Sequence, residues 1–132
     1  VRLQVHESRP PVIVASFEEL RRHIVKADEE ASEVGRPNVV FVEMPSGNNI
    51  SLVVGAGTET VLGFQYGHGD PPYYSSKGQR DQDSPVLTAY ASLIHHTEFP
   101  RSSVIDMDQA LEAVRLFVEL DNLPSNIPWM EV

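Results

Sequence analysis

Apolar residues between Phe17 and Val34 recur at alternating spacings of three and four: Phe17, Leu20, Ile24, Ala27, Ala31 and Val34. That period places them on one face of a helix. The opposite face carries Glu18, Arg22, Glu29, Glu30 and Glu33 and is expected in solvent. Ser16 and Glu19 supply a start signal: the serine oxygen takes an orphan backbone N–H, and Glu19 is expected to reach back to the N–H of Ser16 itself. Gly35, followed by Arg36-Pro37, stops the helix. A second stripe, Met107, Ala110, Leu111, Val114, Phe117 and Val118, predicts another amphipathic helix. Asp106 is its expected cap, with Gln109 in the capping-box position. Asn122 is the expected left-handed terminator, and Pro124 prevents continuation.

Strand patterns fill the space between. The first 14 residues hold two short extended runs broken by Arg9-Pro10-Pro11, with 11–14 as a strand. Runs at 39–44, 50–54 and 60–66 are separated by the turn clusters 45–49 and 55–59, which predicts an antiparallel meander. Ile50, Leu52 and Val54 share one face of the second run, and Leu62, Phe64 and Tyr66 share one face of the third. One side of such a sheet must be covered, and the two helices are the only candidates. Residues 86–91 and 93–98 suit either a second hairpin or one long bent strand. Residues 99–103 read as a loop and 127–132 as a final strand, with Pro128 at an edge or at the strand's start. Residues 67–84 lack an apolar period and are long for an ordinary connection, so they are expected to be a functional loop. The order of elements predicts an α+β fold: an antiparallel meander covered by two amphipathic helices, forming one domain over 1–132.

Composition narrows the function. A chain of 132 residues can bury roughly two-thirds of its unfolded surface without staples. It has no cysteine, which excludes disulfides and thiolate metal sites. The net charge is −9, from 19 acidic against 10 basic residues. Such a surface repels phosphate backbones, so direct nucleic-acid binding is disfavoured. It suits plain solubility, or steering towards a basic partner. No run approaches a membrane-spanning helix. No basic start followed by an apolar run is present, so no signal peptide is expected and the cytoplasm is the expected location.

Catalytic patterns are sought and not found. There is no Gly-x-Ser-x-Gly elbow. Gly67-x-Gly69 lacks the third glycine of a dinucleotide site, and no P-loop occurs. The histidines are His6, His23, His68, His95 and His96. His95 and His96 would point to opposite faces of a strand, while His96 and Glu98 would share one. His68 and Asp70 could complete a metal site only if the fold brings them there; otherwise these are half-exposed strand histidines. No enzymatic role, metal or cofactor is therefore expected. Tyr73 and Tyr74 follow a stiff Pro71-Pro72 start. Tyrosine gives large contact area at low entropy cost, so these two are either interface anchors or plugs for the core. Trp129 is expected to pack on the sheet. Asp70 and Glu98 add acids near predicted loops. Asp70, Tyr73, Tyr74 and Glu98 are thus the candidate partner-binding residues.

The run Glu98-Phe99-Pro100-Arg101-Ser102-Ser103-Val104-Ile105, the helix from Asp108 to Phe117, and the ending from Leu123 to Glu131 with its Ile127-Pro128-Trp129-Met130 core resemble the immunity protein 1 family of bacterial polymorphic toxin systems. Asp70-Pro71-Pro72-Tyr73-Tyr74 is similar to that family's loop. The chain departs from the family's pattern at Asp121-Asn122, where members carry glycine after the second helix; asparagine tolerates the same left-handed conformation. The resemblance implies a non-enzymatic protein that neutralises a cognate protein toxin, a nucleic-acid deaminase or nuclease-like domain with a basic surface, by occluding its active site. Two alternatives stand beside it: a generic protein- or ligand-binding module, and a metal-dependent enzyme using His68, His96 and Glu98.

Overall fold

A computed structural model describes residues 1–5, 9–78, 87–90 and 96–132, with the backbone alone at 96. In chain order the elements are β1 (Arg2–Gln4), β2 (Val12–Ile13), α1 (Phe17–Val34), β3 (Asn38–Glu43), β4 (Asn49–Val54), β5 (Glu59–Thr60), β6 (Leu62–Gln65), β7 (Tyr73–Ser76), β8 (Leu87–Tyr90), β9 (His96–Phe99), a 3-10 turn (Arg101–Ser103), β10 (Ile105–Asp106), α2 (Met107–Leu120) and β11 (Trp129–Glu131).

The predicted meander is the centre of the sheet. Its strands run in the order β11-β7-β6-β4-β3-β1-β2, every neighbouring pair antiparallel. Alternation then sorts the side chains. Leu3, Val40, Val42, Ile50, Leu52, Val54, Leu62 and Phe64 face one side and are sealed from solvent together with Leu20, Ile24, Ala27 and Ala31 of α1 and Ala110, Ala113, Val114 and Phe117 of α2. The fold is thus α+β, with both helices on one side. β8 and β9 form an antiparallel pair, the hairpin alternative, and β8 touches β3 in parallel at Asn38 and Tyr90. Leu87 and Ala89 of this hairpin bury Val39 and Val53 on the opposite side of the sheet, with Val61 and Val104.

Two buried hydroxyls stitch the places where regular pairing breaks. Thr60 Oγ1 donates to Val53 O at 2.7 Å and accepts from Val53 N at 3.1 Å. Ser76 Oγ donates to Ser103 O at 2.6 Å and accepts from Leu62 N at 3.0 Å. Both side chains are fully buried, where an unpaired hydroxyl would cost on the order of 1–3 kcal/mol.

The structure corrects several expectations. The segment 67–84 is not one long loop: Tyr73–Ser76 is β7, paired with β6 and β11. Its polar serines hid the strand, because its partners rather than its own periodicity hold it. Ser16 does cap α1, with Oγ accepting from Glu19 N at 3.2 Å, but Glu19 Oε2 accepts from Ala15 N at 3.0 Å and not from Ser16 N. Val34 leaves the apolar stripe and is 74% exposed. Ala31 is the last stripe residue over the sheet: Gly55, at φ +88°, lies so near it that a Cβ there would fall 2.5 Å from the Ala31 Cβ. Asp106 occupies the cap position of α2 with no side-chain cap hydrogen bond, because it pairs with Glu59 in β10–β5 and Met107 N donates to Thr58 O at 2.8 Å instead. The left-handed residue that ends α2 is Asp121 (φ 52°), one before the expected Asn122; its carboxylate and carbonyl both find partners on the β3–β4 turn.

Phe117 is fully buried, with its ring 5.9 Å edge-on from Phe64. Phe117→Ala is expected to cost about 3–5 kcal/mol in urea denaturation, whereas Val34→Ala should change stability by less than about 0.5 kcal/mol.

Candidate interaction surface

Between Gln65 and Tyr73, the paired ends of β6 and β7, the chain makes a tight tip from Tyr66 to Pro72. Its own groups hold it. Gly69 N donates to Tyr66 O at 3.0 Å. Asp70 N donates to His68 Nδ1 at 3.0 Å, and Tyr73 Oη donates to Gly69 O at 2.7 Å. The His68 ring stacks on Tyr66 with centroids 5.7 Å apart.

Asn48 anchors this tip to the rest of the molecule. Its Oδ1 accepts from Gly67 N at 2.8 Å. Its Nδ2 donates to the carbonyl of Asp121 at 3.0 Å and to its carboxylate at 3.1 Å. Ser46 Oγ donates to the same carboxylate at 2.8 Å. One amide therefore joins the β3–β4 turn, the β6–β7 tip and the end of α2. In the sequence Asn48 is only one residue of a turn cluster, because its partners Gly67 and Asp121 lie far along the chain.

The four candidate residues do not converge. Asp70 and Tyr73 share the tip. Asp70 is exposed, and among the described residues no cation pairs with it. Tyr73 is half-buried, on the side of the sheet away from the helices, as β7 alternation requires. Tyr74 faces the helices and packs partly against the core, with its ring 6.3 Å from Phe64 and 6.5 Å from Tyr66. Of the two roles expected for the tyrosines, Tyr74 therefore takes the core one. Trp129 joins that aromatic group, 6.4 Å from Phe64, and its Nε1 donates to Pro124 O at 2.7 Å. Glu98 is exposed on β9, whose hairpin meets β3 at Asn38. The tip lies beyond the Glu43–Asn49–Gln65 row at the other end of β3, on the order of 17 Å away along the strand. His68 and Glu98 therefore belong to opposite ends of β3. His95 and the His96 side chain lie outside the described residues. Among the described residues, no group of three His, Asp or Glu could hold a metal ion.

The far side of the sheet divides in two. Near Asn38 and Val54 the β8–β9 hairpin covers it. Towards the tip, a cross-strand row runs Gln4, Phe41, Ser51, Gly63, Ser75, Met130. Phe41 is 40% exposed, and the middle of the row is small and polar. Aromatic and methionine residues with few charges are typical of interface cores. The only charges in the adjoining row, Arg2 and Glu43, pair with each other at 3.7 Å.

The acidic charge lies elsewhere. More than half of the acidic residues sit on the two helices and their caps, where Arg21, Arg22, Lys26 and Arg115 are the only bases. Glu112, Arg115 and Glu119 bridge along α2, and the hydrogen bond from Arg115 holds the Glu112 carboxyl below its ordinary range. A cleft of about 330 Å³ opens at the start of α2, lined by Lys77, Gly78, Asp106, Gln109, Ile127 and Pro128 among others. Among the described residues, no helix is long and apolar enough to cross a membrane.

Because Asn48 serves three bonds, two of them partly buried, Asn48→Ala is expected to cost about 2 kcal/mol and to raise amide exchange at Gly67, while amides in β3 and β4 keep their protection. Hydrogen exchange read by NMR checks both.

No curated protein matches the chain. The family model for immunity protein Imm1 matches residues 8–131, spanning the meander, both helices and β11. That match takes in the tip, the Asn48 anchor and the Trp129 strand together, and the chain belongs to the Imm1 family of immunity proteins.

Proposed function

We propose that this protein binds a cognate bacterial toxin and neutralises it by covering its active site, without catalysis of its own. The observation that carries this is membership of the immunity family along nearly the whole chain. The toxin class we favour acts on nucleic acid, a deaminase or nuclease-like domain. Such enzymes need a basic groove, and the acidic helical layer would speed encounter with it. That layer would also keep nucleic acid off the inhibitor. Against a toxin that acts on nucleic acid, the inhibitor would work in the cytoplasm.

Of the four candidate contact residues, Asp70 and Tyr73 support the reading best, because one preorganised tip presents them together. An ordered loop loses little entropy on binding. Tyr74 would act as the packed support behind the tip. Glu98 would belong to a second contact at the other end of the sheet.

One observation favours a second reading, a ligand-binding module: the cleft beside α2 has the size of a small-molecule site. Native mass spectrometry of the purified protein separates the two, since a stoichiometric small molecule would support the module.

Co-expression with the toxin encoded by the immediate upstream neighbour tests the main reading. Growth should be rescued, and the two proteins should co-purify. A neighbour with no toxin domain, or toxicity that persists, overturns it. In the complex, the double substitution Asp70→Asn, Tyr73→Ala should weaken affinity by about 30-fold, on the order of 2 kcal/mol. Unchanged affinity with an intact fold would remove these two as contacts.

A further inference from the structure

We infer that His68 is a pH-sensitive latch on the β6–β7 tip. The latch follows from the geometry of the tip, whatever the protein binds. The Asp70 N–H points at His68 Nδ1 from 3.0 Å. A backbone N–H can only donate, so Nδ1 must offer a lone pair and the ring proton must sit on Nε2. The bond therefore exists only with the neutral imidazole. Protonation puts a second hydrogen on Nδ1, opposite the amide hydrogen, and turns an attractive contact into a repulsive one.

The surroundings decide where the charged ring goes. Tyr66, just past the end of β6, stacks on its face. Tyr73, from β7, is committed to Gly69 O. Asp121, at the end of α2, is committed to Ser46 and Asn48. Asp70 remains, with its carboxylate two residues from the imidazole and without a cation among the described residues. The cations on the neighbouring elements are themselves paired, Arg2 with Glu43 and Arg115 with Glu112 and Glu119. The imidazolium swings from the Asp70 amide to the Asp70 carboxylate. Two changes follow together: the turn at 68–70 loses one internal bond, and the exposed charge of the tip falls by one. Imidazoles as a class change charge within roughly pH 5–8, and that is the range to test.

Few other features of the tip would respond in that range. The Gly69 N to Tyr66 O and Gly67 N to Asn48 Oδ1 bonds involve no titrating atom. The latch should therefore act locally, at Asp70, while the base of the tip stays anchored.

NMR of the full chain between about pH 8 and pH 5 tests this. The Asp70 amide resonance should move with the same midpoint as the His68 ring resonances, and its exchange, corrected for the intrinsic pH dependence, should become about tenfold faster in the acid form. The Gly67 amide should stay protected throughout. His68→Asn retains an oxygen able to accept an N–H two residues on, so its Asp70 amide should remain protected and lose the pH dependence. His68→Ala should show fast exchange at Asp70 at every pH. An Asp70 amide that ignores the His68 midpoint overturns the inference, as does His68→Asn titrating like the wild type or His68→Ala protecting Asp70 as well as the wild type does.

Discussion

The helix-facing side of β4 is the constraint on which the remaining structure depends. Ile50, Leu52 and Val54 are fully sealed there, and Val53 is equally sealed on the reverse side. A strand buried on both sides cannot reach water, so something must cover each side. α1 and α2 cover one. The β8–β9 hairpin covers the other, but only at the end where Val53 sits. The opposite end carries Asn49 and Ser51, which tolerate water, and that end stays open. The division of the sheet into a covered end and an open end is thus already drawn in the alternation of one strand.

That division organises the proposed contact surfaces. The tip grows from the open end, and Asn48 ties it to the neighbouring turn and to the end of α2. Rigidity in a surface loop has to come from such bonds, since the loop itself buries little apolar area. The aromatic group behind it, Phe64, Tyr66, Tyr74, Phe117 and Trp129, joins the tip's base to the core. Most of the acidic charge lies outside this region, with Asp70 the exposed acid on the tip. The acids crowd onto the helices, where long-range attraction needs no precise contact. Aromatic and amide groups gather on the sheet and tip, where contact does need shape. For a member of an immunity family, a field that steers and a preorganised patch that fits are the two ingredients that the proposed toxin binding would use.

Much was legible along the chain because the signals are local. The helix stripes, the Ser16 cap, the Gly35 stop and the three-run meander all follow from spacings within a few residues, and a period of 3.6 or 2 forces the matching face. The family resemblance was legible for the same reason, in short contiguous runs near the end of the chain. The failures were of another kind. β7 carries Tyr-Tyr-Ser-Ser, which no periodicity marks as a strand; β6 and β11 recruit it from both sides. Asp106 makes no side-chain cap because the distant Glu59–Thr60 strand pairs with it and the carbonyl of Thr58 takes the Met107 N–H at the helix start. Asp121 took the left-handed turn expected of Asn122 because Asn48 and Ser46 wait to receive it.

The sequence by itself determined which residues are apolar together, where helices begin and stop, and that no familiar catalytic pattern is present. Tertiary structure alone decided which candidates meet. It set Asp70 beside Tyr73, turned Tyr74 inward, sent Glu98 to the far end of the sheet, and brought the His68 ring nitrogen to the Asp70 amide. The physical reason is range. Periodicity and capping act within one or two turns of chain, whereas a sheet places residues by pairing register, which joins strands many residues apart and gives no trace in either strand read alone.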